Sequence, residues 1–285
     1  MSQVSLFLRL STINQVFYSP SRVHMDNAQN IIDIKRHPID NLDEYAIRCR
    51  NKLLKNSILI LNNFLTKEAL IVLQQEAKAL QNKAFYCSQT HNVLLNKKSL
   101  LLENNHPCNI NLLSDKGCIP HDLIPSDSHL RSIYTSEKFQ KFIQCVLSTN
   151  KIYPYADTLS SINYNYYQKN QQLGWHFDNA SFAITLMIQP STSGGNFQYV
   201  VNARNLEKNS INVSLIDSVL KKKYPVQELN IEAGTLVLFY GRNYLHRVTP
   251  VTSSIPRILA TLNYNHEKNL ELAENARLTF FGRLH

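Results

Sequence analysis

His176, Asp178 and His246 are residues of the types that bind a metal ion, and their spacing decides whether they can do so together. In "GWHFDNASF" (174–182) the histidine and the aspartate are two positions apart. On a strand, residues i and i+2 project from one face, so an imidazole nitrogen and a carboxylate oxygen would stand side by side, with Phe177 turned away. Those are two of the three protein ligands in the facial set that holds iron(II) with open coordination positions. The third must arrive from a distant strand. His246 in "YGRNYLHRVTPV" is placed for it, after the strand-like "GTLVLFY" and a glycine turn. A lone HxD pair occurs by chance, and a lone histidine is more often a core or surface residue; the joint pattern carries the weight.

Arg257, eleven residues past His246 in "PRILATLNY", adds a fourth position. A cosubstrate that chelates iron through a 2-oxo acid and carries a second carboxylate, as 2-oxoglutarate does, needs a cation at its far end. Arginine offers a planar fork that grips a carboxylate with two hydrogen bonds, where lysine gives a point charge. Asn163 and Asn165 share one face of the preceding run "LSSINYNYY", with Tyr164 and Tyr166 on the other, and Asn163 is assigned to the cosubstrate. Asn179 follows the metal carboxylate directly and is assigned to substrate, although an asparagine there equally suits a turn.

The elements that must position these residues change character along the chain. Residues 1–56 show no clean period and are read as an N-terminal extension, and residues 57–285 as one domain. In the helical part, about 57–150, "SILILNNF" reads as a short buried strand. "TKEALIVLQQEAKALQ" (66–81) reads as a helix capped by Thr66, and "TSEKFQKFIQCVL" (135–147) as a second, with Phe139, Phe142, Ile143 and Val146 as its apolar stripe. The stretch "NHPCNINLLSDKGCIPHDLIPSDS" (105–128) is turn-rich and predicts loops. From about 151 to 285, short apolar runs alternate with turn chemistry such as "STSGG" and "EAG", which predicts an antiparallel barrel or sandwich with helices outside. Trp175, the only tryptophan, is expected on the outer face as packing.

Composition narrows the setting. A hydrophobic fraction of 44% in 285 residues supports a sizeable core, and no run reaches the ~18 apolar residues of a membrane helix. Five cysteines without a CxxC pair fit reduced thiols in a cytoplasmic protein, and the start of the chain lacks the pattern of a secretory signal. A net charge of +9 admits an acidic partner, but the basic residues are dispersed, which argues for solvated surface over a nucleic-acid track.

With these residues in hand, the chain from about 57 onward resembles the Fe(II)/2-oxoglutarate-dependent dioxygenases. More narrowly, it resembles the family of free-amino-acid radical halogenases and hydroxylases known from lysine-type substrates. The matching stretches are "YPYADTLSSINYN", "LGWHFDNASFAITLMIQP", "GGNFQYV", "AGTLVLFYGRNYLHRVTPV", "PRILATLNYN" and "LTFFGR". The resemblance implies a double-stranded β-helix (jelly-roll, cupin-like) barrel, mostly β with flanking helices. It implies His176, Asp178 and His246 as iron ligands and Arg257 as the 2-oxoglutarate clamp. It also implies Fe(II), 2-oxoglutarate and O2 as cofactors, with ascorbate as reductant in vitro. Halogenases of that family have a small residue where this chain has Asp178, so the resemblance implies hydroxylation of an unactivated C–H in a small amino-acid-like substrate. One departure stands out: the arginines that follow the His-Pro of that family are replaced here by Cys108, Asn109, Ile110 and Asn111. A protein side chain or nucleic acid as substrate, or a metal-binding jelly roll without turnover, are the alternatives.

Overall fold

The computed structural model describes residues 30–205 and 208–285. In chain order the first half supplies α1 (Ile47–Asn56), β1 (Ile58–Leu61), α2 (Lys67–Leu80), β2 (Phe85–His91), β3 (Leu112–Ile119), α3 (His129–Thr135) and α4 (Glu137–Leu147). The second half gives β4 (Tyr153–Pro154), β5 (Ile162–Tyr167), β6 (Leu173–His176), β7 (Ala183–Gln189), β8 (Phe197–Val200), β9 (Arg204–Asn205) and β10 (Ser210–Ile211). It continues with α5 (Val213–Leu220), β11 (Gln227–Leu229), β12 (Leu236–Phe239), β13 (Leu245–Val248), β14 (Arg257–Leu262), β15 (Tyr264–Asn265) and α6 (Glu274–Phe281). Among the described residues no helix is long and apolar enough to cross a membrane.

Two antiparallel sheets face each other. The larger has the order β1-β12-β7-β14-β5-β3-β2 and the smaller β11-β8-β13-β6. Their inner faces meet in one apolar cluster that joins Ile58, Met187, Val237, Phe239 and Leu259 to Phe197 and Tyr199. This is the jelly-roll barrel that the sequence predicts. The outer face of the large sheet is covered by α1 to α4. Leu73, Ala77, Phe139, Phe142 and Ile143 pack with Tyr164, Tyr166, Leu186 and Leu238 in the main core. Both predicted helices form, and Thr66 caps α2 by accepting from the Ala69 N–H at 3.2 Å. The small sheet is covered by α5, whose Ile216 and Val219 pack on Trp175, Val200 and Leu245. Trp175 therefore sits on the outer face, as expected.

The segment before β1 does not stand apart. Ile31, Ile32, Ile39, Cys49 and Leu53 are buried in the main core, Tyr45 stacks on Phe142 at 5.8 Å, and the Arg50 Nε donates to the Cys145 carbonyl at 2.8 Å. Residues 1–29 of the predicted extension lie outside the described residues.

One expectation is overturned. The stretch 105–128, predicted as loops, contains β3, which pairs with β5 on one side and β2 on the other. Its inward residues Ser114, Lys116 and Cys118 do not form an apolar row, so the apolar alternation that announces a strand is missing. Pairing supplies what the pattern lacks: all of β2, from Phe85 to His91, is in register with Cys118 to Leu112. The five cysteines are free thiols.

Phe142 on α4 is fully buried in the main core against Tyr45, so Phe142→Ala should destabilise the fold by about 3–5 kcal/mol, read by guanidinium denaturation. Truncation of Leu54, which is 65% exposed on α1, should change the midpoint little by comparison.

Candidate active site

The end of β6 and the start of β13 pair so that His246 stands directly opposite His176. As direct partners both imidazoles point into the barrel, while their chain neighbours Trp175 and Arg247 stack together outside at 4.8 Å; beyond them the pairing shifts by one residue, so that Val248 meets Leu173. The two imidazole centroids lie 4.1 Å apart. Asp178, just past the end of β6, turns Oδ1 towards both rings, 3.3 Å from His176 Nε2 and 3.5 Å from His246 Nε2. One ligand atom from each residue falls within 4.8 Å of the others.

The backbone sets which nitrogen each histidine presents. His176 Nδ1 donates to the Gly174 carbonyl and His246 Nδ1 to the Tyr244 carbonyl, both at 2.8 Å, which leaves both Nε2 lone pairs facing Asp178. Burial, with His246 alongside, pushes the His176 pKa down to about 4, against the pull of Asp178. Burial opposes the charge of Asp178, but the two imidazoles outweigh it, so the carboxyl stays well below its usual range. At neutral pH His176 is a neutral imidazole and Asp178 a carboxylate, protonation states that a divalent metal requires of its ligands. Phe239 and Phe197 close on the His246 ring at 5.0 and 5.7 Å and give the site a dry wall.

Arg257 opens β14 on the inner face of the large sheet. It is 2% exposed, and its Nε and Nη1 are buried without a hydrogen-bond partner. Burial lowers its pKa from the ordinary value, with Tyr167 opposing. Such a cation is costly to bury unless something pairs with it, and no described carboxylate lies within ion-pair distance. Its guanidinium lies 5.3 Å from the Tyr167 ring and lines a small cavity with Met187, Ser191, Gly194, Gly195 and Phe197. Gly194 and Gly195 both have left-handed φ, +66° and +67°, and a Cβ on Gly195 would come within 3.2 Å of Arg257 Cδ. The orphaned donors of Arg257 fit the distal carboxylate of 2-oxoglutarate, as the His-Asp-His set fits iron(II).

The remaining expected residues fall out unevenly. Asn163 faces inward, but its carboxamide is engaged by the Leu159 and Ile162 carbonyls and by Asn263. Asn165, one pleat on, accepts from Lys116 Nζ at 2.5 Å. Asn179 is exposed beside Asp178, and its carbonyl accepts from Arg242 Nε at 2.9 Å. Two residues went unassigned from sequence. Tyr167 stands opposite Arg257 on the neighbouring strand. Lys116 lies on β3 with its ammonium 4.9 Å from the Phe280 ring centroid. Desolvation opposes the charge of Lys116, yet Tyr167, Cys118, Cys87 and Asp178 together raise its pKa. Tyr167 was legible in the "INYNYY" alternation; Lys116 was hidden by the unrecognised strand.

The model of a family described as Halogenase D matches residues 42–278, most of the chain. The chain belongs to the Halogenase D family. No curated protein matches the sequence significantly. Solved structures share the fold of this Halogenase D member at low identity. An oxidoreductase of the 2OG-Fe(II) oxygenase family from Burkholderia pseudomallei is 12% identical, with 80% of this chain and 94% of that chain covered and a TM-score of 0.51. AviO1 from Streptomyces viridochromogenes Tue57 is 11% identical, with 82% and 99% covered and a TM-score of 0.53. The non-heme alpha-ketoglutarate-dependent epimerase SnoN from nogalamycin biosynthesis is 10% identical, with 77% and 80% covered and a TM-score of 0.52.

Two predictions rest on this geometry. Arg257→Ala should weaken 2-oxoglutarate binding by about 10- to 100-fold, the value of charge-assisted hydrogen bonds, and leave iron(II) affinity unchanged in anaerobic calorimetric titration. The second concerns acid. Burial lowers the pKa of both His176 and His121 to about 4, so below pH 6.5 the unfolded chain binds more protons than the folded one. The melting temperature of the metal-free protein should be level between pH 6.5 and about 8 and fall as the pH drops to about 4. His176→Gln should make that fall shallower.

Proposed function

We propose that this chain is an Fe(II)/2-oxoglutarate-dependent hydroxylase of a small amino-acid-like substrate. The overall change is insertion of one oxygen atom of O2 into a C–H bond. The other atom enters succinate as 2-oxoglutarate loses CO2. The observation that carries the reading is Asp178, whose Oδ1 faces both imidazoles and gives the metal a third protein ligand. A halide ligand needs the coordination position that this carboxylate fills. Within a family named for halogenation, that favours oxygen transfer.

The bound iron would supply the oxidising chemistry. The protein's own part is to place and to exclude. Arg257, with Tyr167 beside it, would hold the far carboxylate of 2-oxoglutarate and fix its reach towards the three ligands. Asn165 is the better placed of the two inward asparagines to contact the cosubstrate, because the carboxamide of Asn163 is engaged within the protein. Phe197 and Phe239 keep water from the His246 side.

The amino-acid-like substrate draws support from Lys116. The departure after His-Pro removes a cation that could hold a carboxylate, and Asn109 cannot replace it, since its amide is spent on the Ser99, Leu102 and Glu103 carbonyls. Lys116 restores a positive charge on the inner face. Its one side-chain hydrogen bond goes to neutral Asn165, and no described carboxylate forms an ion pair with it. An α-carboxylate there would find two free ammonium protons beneath Phe280.

The test is succinate release by protein with Fe(II), ascorbate and 2-oxoglutarate across a panel of free amino acids, with mass detection of products. Substrate-stimulated succinate with a product heavier by one oxygen is expected. Lys116→Met should then raise the substrate KM by about 10-fold or more, as loss of a charged hydrogen bond does, and weaken 2-oxoglutarate, through the freed Asn165, by much less. A chlorinated product would overturn the hydroxylase reading. Stimulation only by peptides or nucleic acid would overturn the amino-acid substrate.

A further inference from the structure

We infer that Gly241 is a positioning residue for the metal-binding carboxylate. Its lack of a side chain is what lets Asp178 turn one oxygen, and only one, towards the imidazoles. The inference rests on the reading of His176, Asp178 and His246 as metal ligands.

The two segments are tied together. The Asp178 N–H donates to the Gly241 carbonyl at 3.0 Å, and the next residue on, Arg242, donates through Nε to the Asn179 carbonyl at 2.9 Å. Residues 241 and 242 thus hold 178 and 179 by two points, so the backbone of the ligand loop cannot drift outward alone. Against this clamp, Asp178 lies on the bare face of Gly241. A Cβ built there would stand 1.8 Å from Oδ2, 2.6 Å from Cγ and 2.9 Å from Cβ of Asp178. Those are the three nearest heavy atoms, and all belong to that one side chain.

Rotating the carboxylate would not relieve the contact. It would move Oδ2 and Cγ, but Asp178 Cβ would remain too close, and Oδ1 would swing away from the two Nε2 atoms it now meets. With Oδ2 packed against Gly241 and Oδ1 facing the rings, the carboxylate is presented through a single oxygen. The backbone does not explain the glycine. Gly241 is not among the residues of positive φ, unlike Gly194 and Gly195, so an L side chain meets no conformational bar there. The obstacle is the carboxylate itself. In a buried site, the space a side chain at 241 would need is the space Asp178 uses.

A double-variant cycle in the full chain tests this, with Co(II) as the probe, read by calorimetry and by its visible spectrum, and with melting of the metal-free protein as a second readout. Gly241→Ala should lower Co(II) affinity by 10-fold or more, close to Asp178→Ala. The double variant should bind Co(II) no more weakly than Asp178→Ala, and should melt above Gly241→Ala, because the methyl group enters room the carboxylate has left. Wild-type Co(II) affinity in Gly241→Ala, or losses that multiply in the double variant, would overturn the inference. Should Gly241→Ala fail to fold, the double variant decides. Folding and binding like Asp178→Ala support the inference, and failure to fold overturns it, since the clash would then lie elsewhere. Wild-type affinity in Asp178→Ala would instead overturn the ligand reading itself, and the inference with it.

Discussion

Three lone-pair donors held within 4.8 Å of one another set the terms for this structure. With each Nδ1 committed to a backbone carbonyl, the two Nε2 atoms and Asp178 Oδ1 are turned towards one another. A chain free to relax would separate them. The barrel keeps them together because each is fixed by backbone geometry: the two histidines by direct pairing of β6 with β13, and the aspartate by a hydrogen bond to the segment that leads into β13. Only a shared cation satisfies all three at once, and the fold holds them in readiness for one.

The two sheets divide the work. The small sheet carries both histidines and presents their reverse side, Trp175 and Arg247, to the layer under α5. The large sheet carries charge. Lys116, Tyr167 and Arg257 lie on three adjacent strands, β3, β5 and β14, all on the inner face. The helices behind the large sheet hold that row steady: the Tyr166 hydroxyl donates to the Ala77 carbonyl and Tyr164 to Glu76, both at 2.7 Å. Alternate residues of one strand therefore serve opposite faces, Tyr164 and Tyr166 anchoring to α2 and the asparagines turned into the barrel.

What could be read from the sequence follows from which signals are local. The HxD pair, the strand-like run before His246 and the placement of Arg257 depend on period-2 geometry within short segments, and His176, Asp178 and His246 do converge. The stripe of α4 and the cap of α2 are equally local. β2 and β3 were not legible, because their inward faces carry Gln89, Ser114 and Lys116 in place of an apolar row, and only their pairing makes them strands. Asn163 and Asn165 look alike in sequence; the difference lies in Asn263 and Lys116, about a hundred and about fifty positions away. Gly241 reads as a turn glycine, and its contact with Asp178 spans two loops that no local pattern connects.

The register of β6 against β13 also constrains how the chain can change in length. Along a strand, a shift of one position exchanges inside for outside. Insertion or deletion of a single residue within β13, if no new bulge takes it up, would carry His246 to the face now held by Trp175 and Arg247. A change of two residues would keep the face and lose only the neighbours. The long connection between β2 and β3 carries no such parity, since its ends are fixed by the ladder and not by what lies between them. Length variation in this chain is therefore free at one edge of the barrel and quantised at the other.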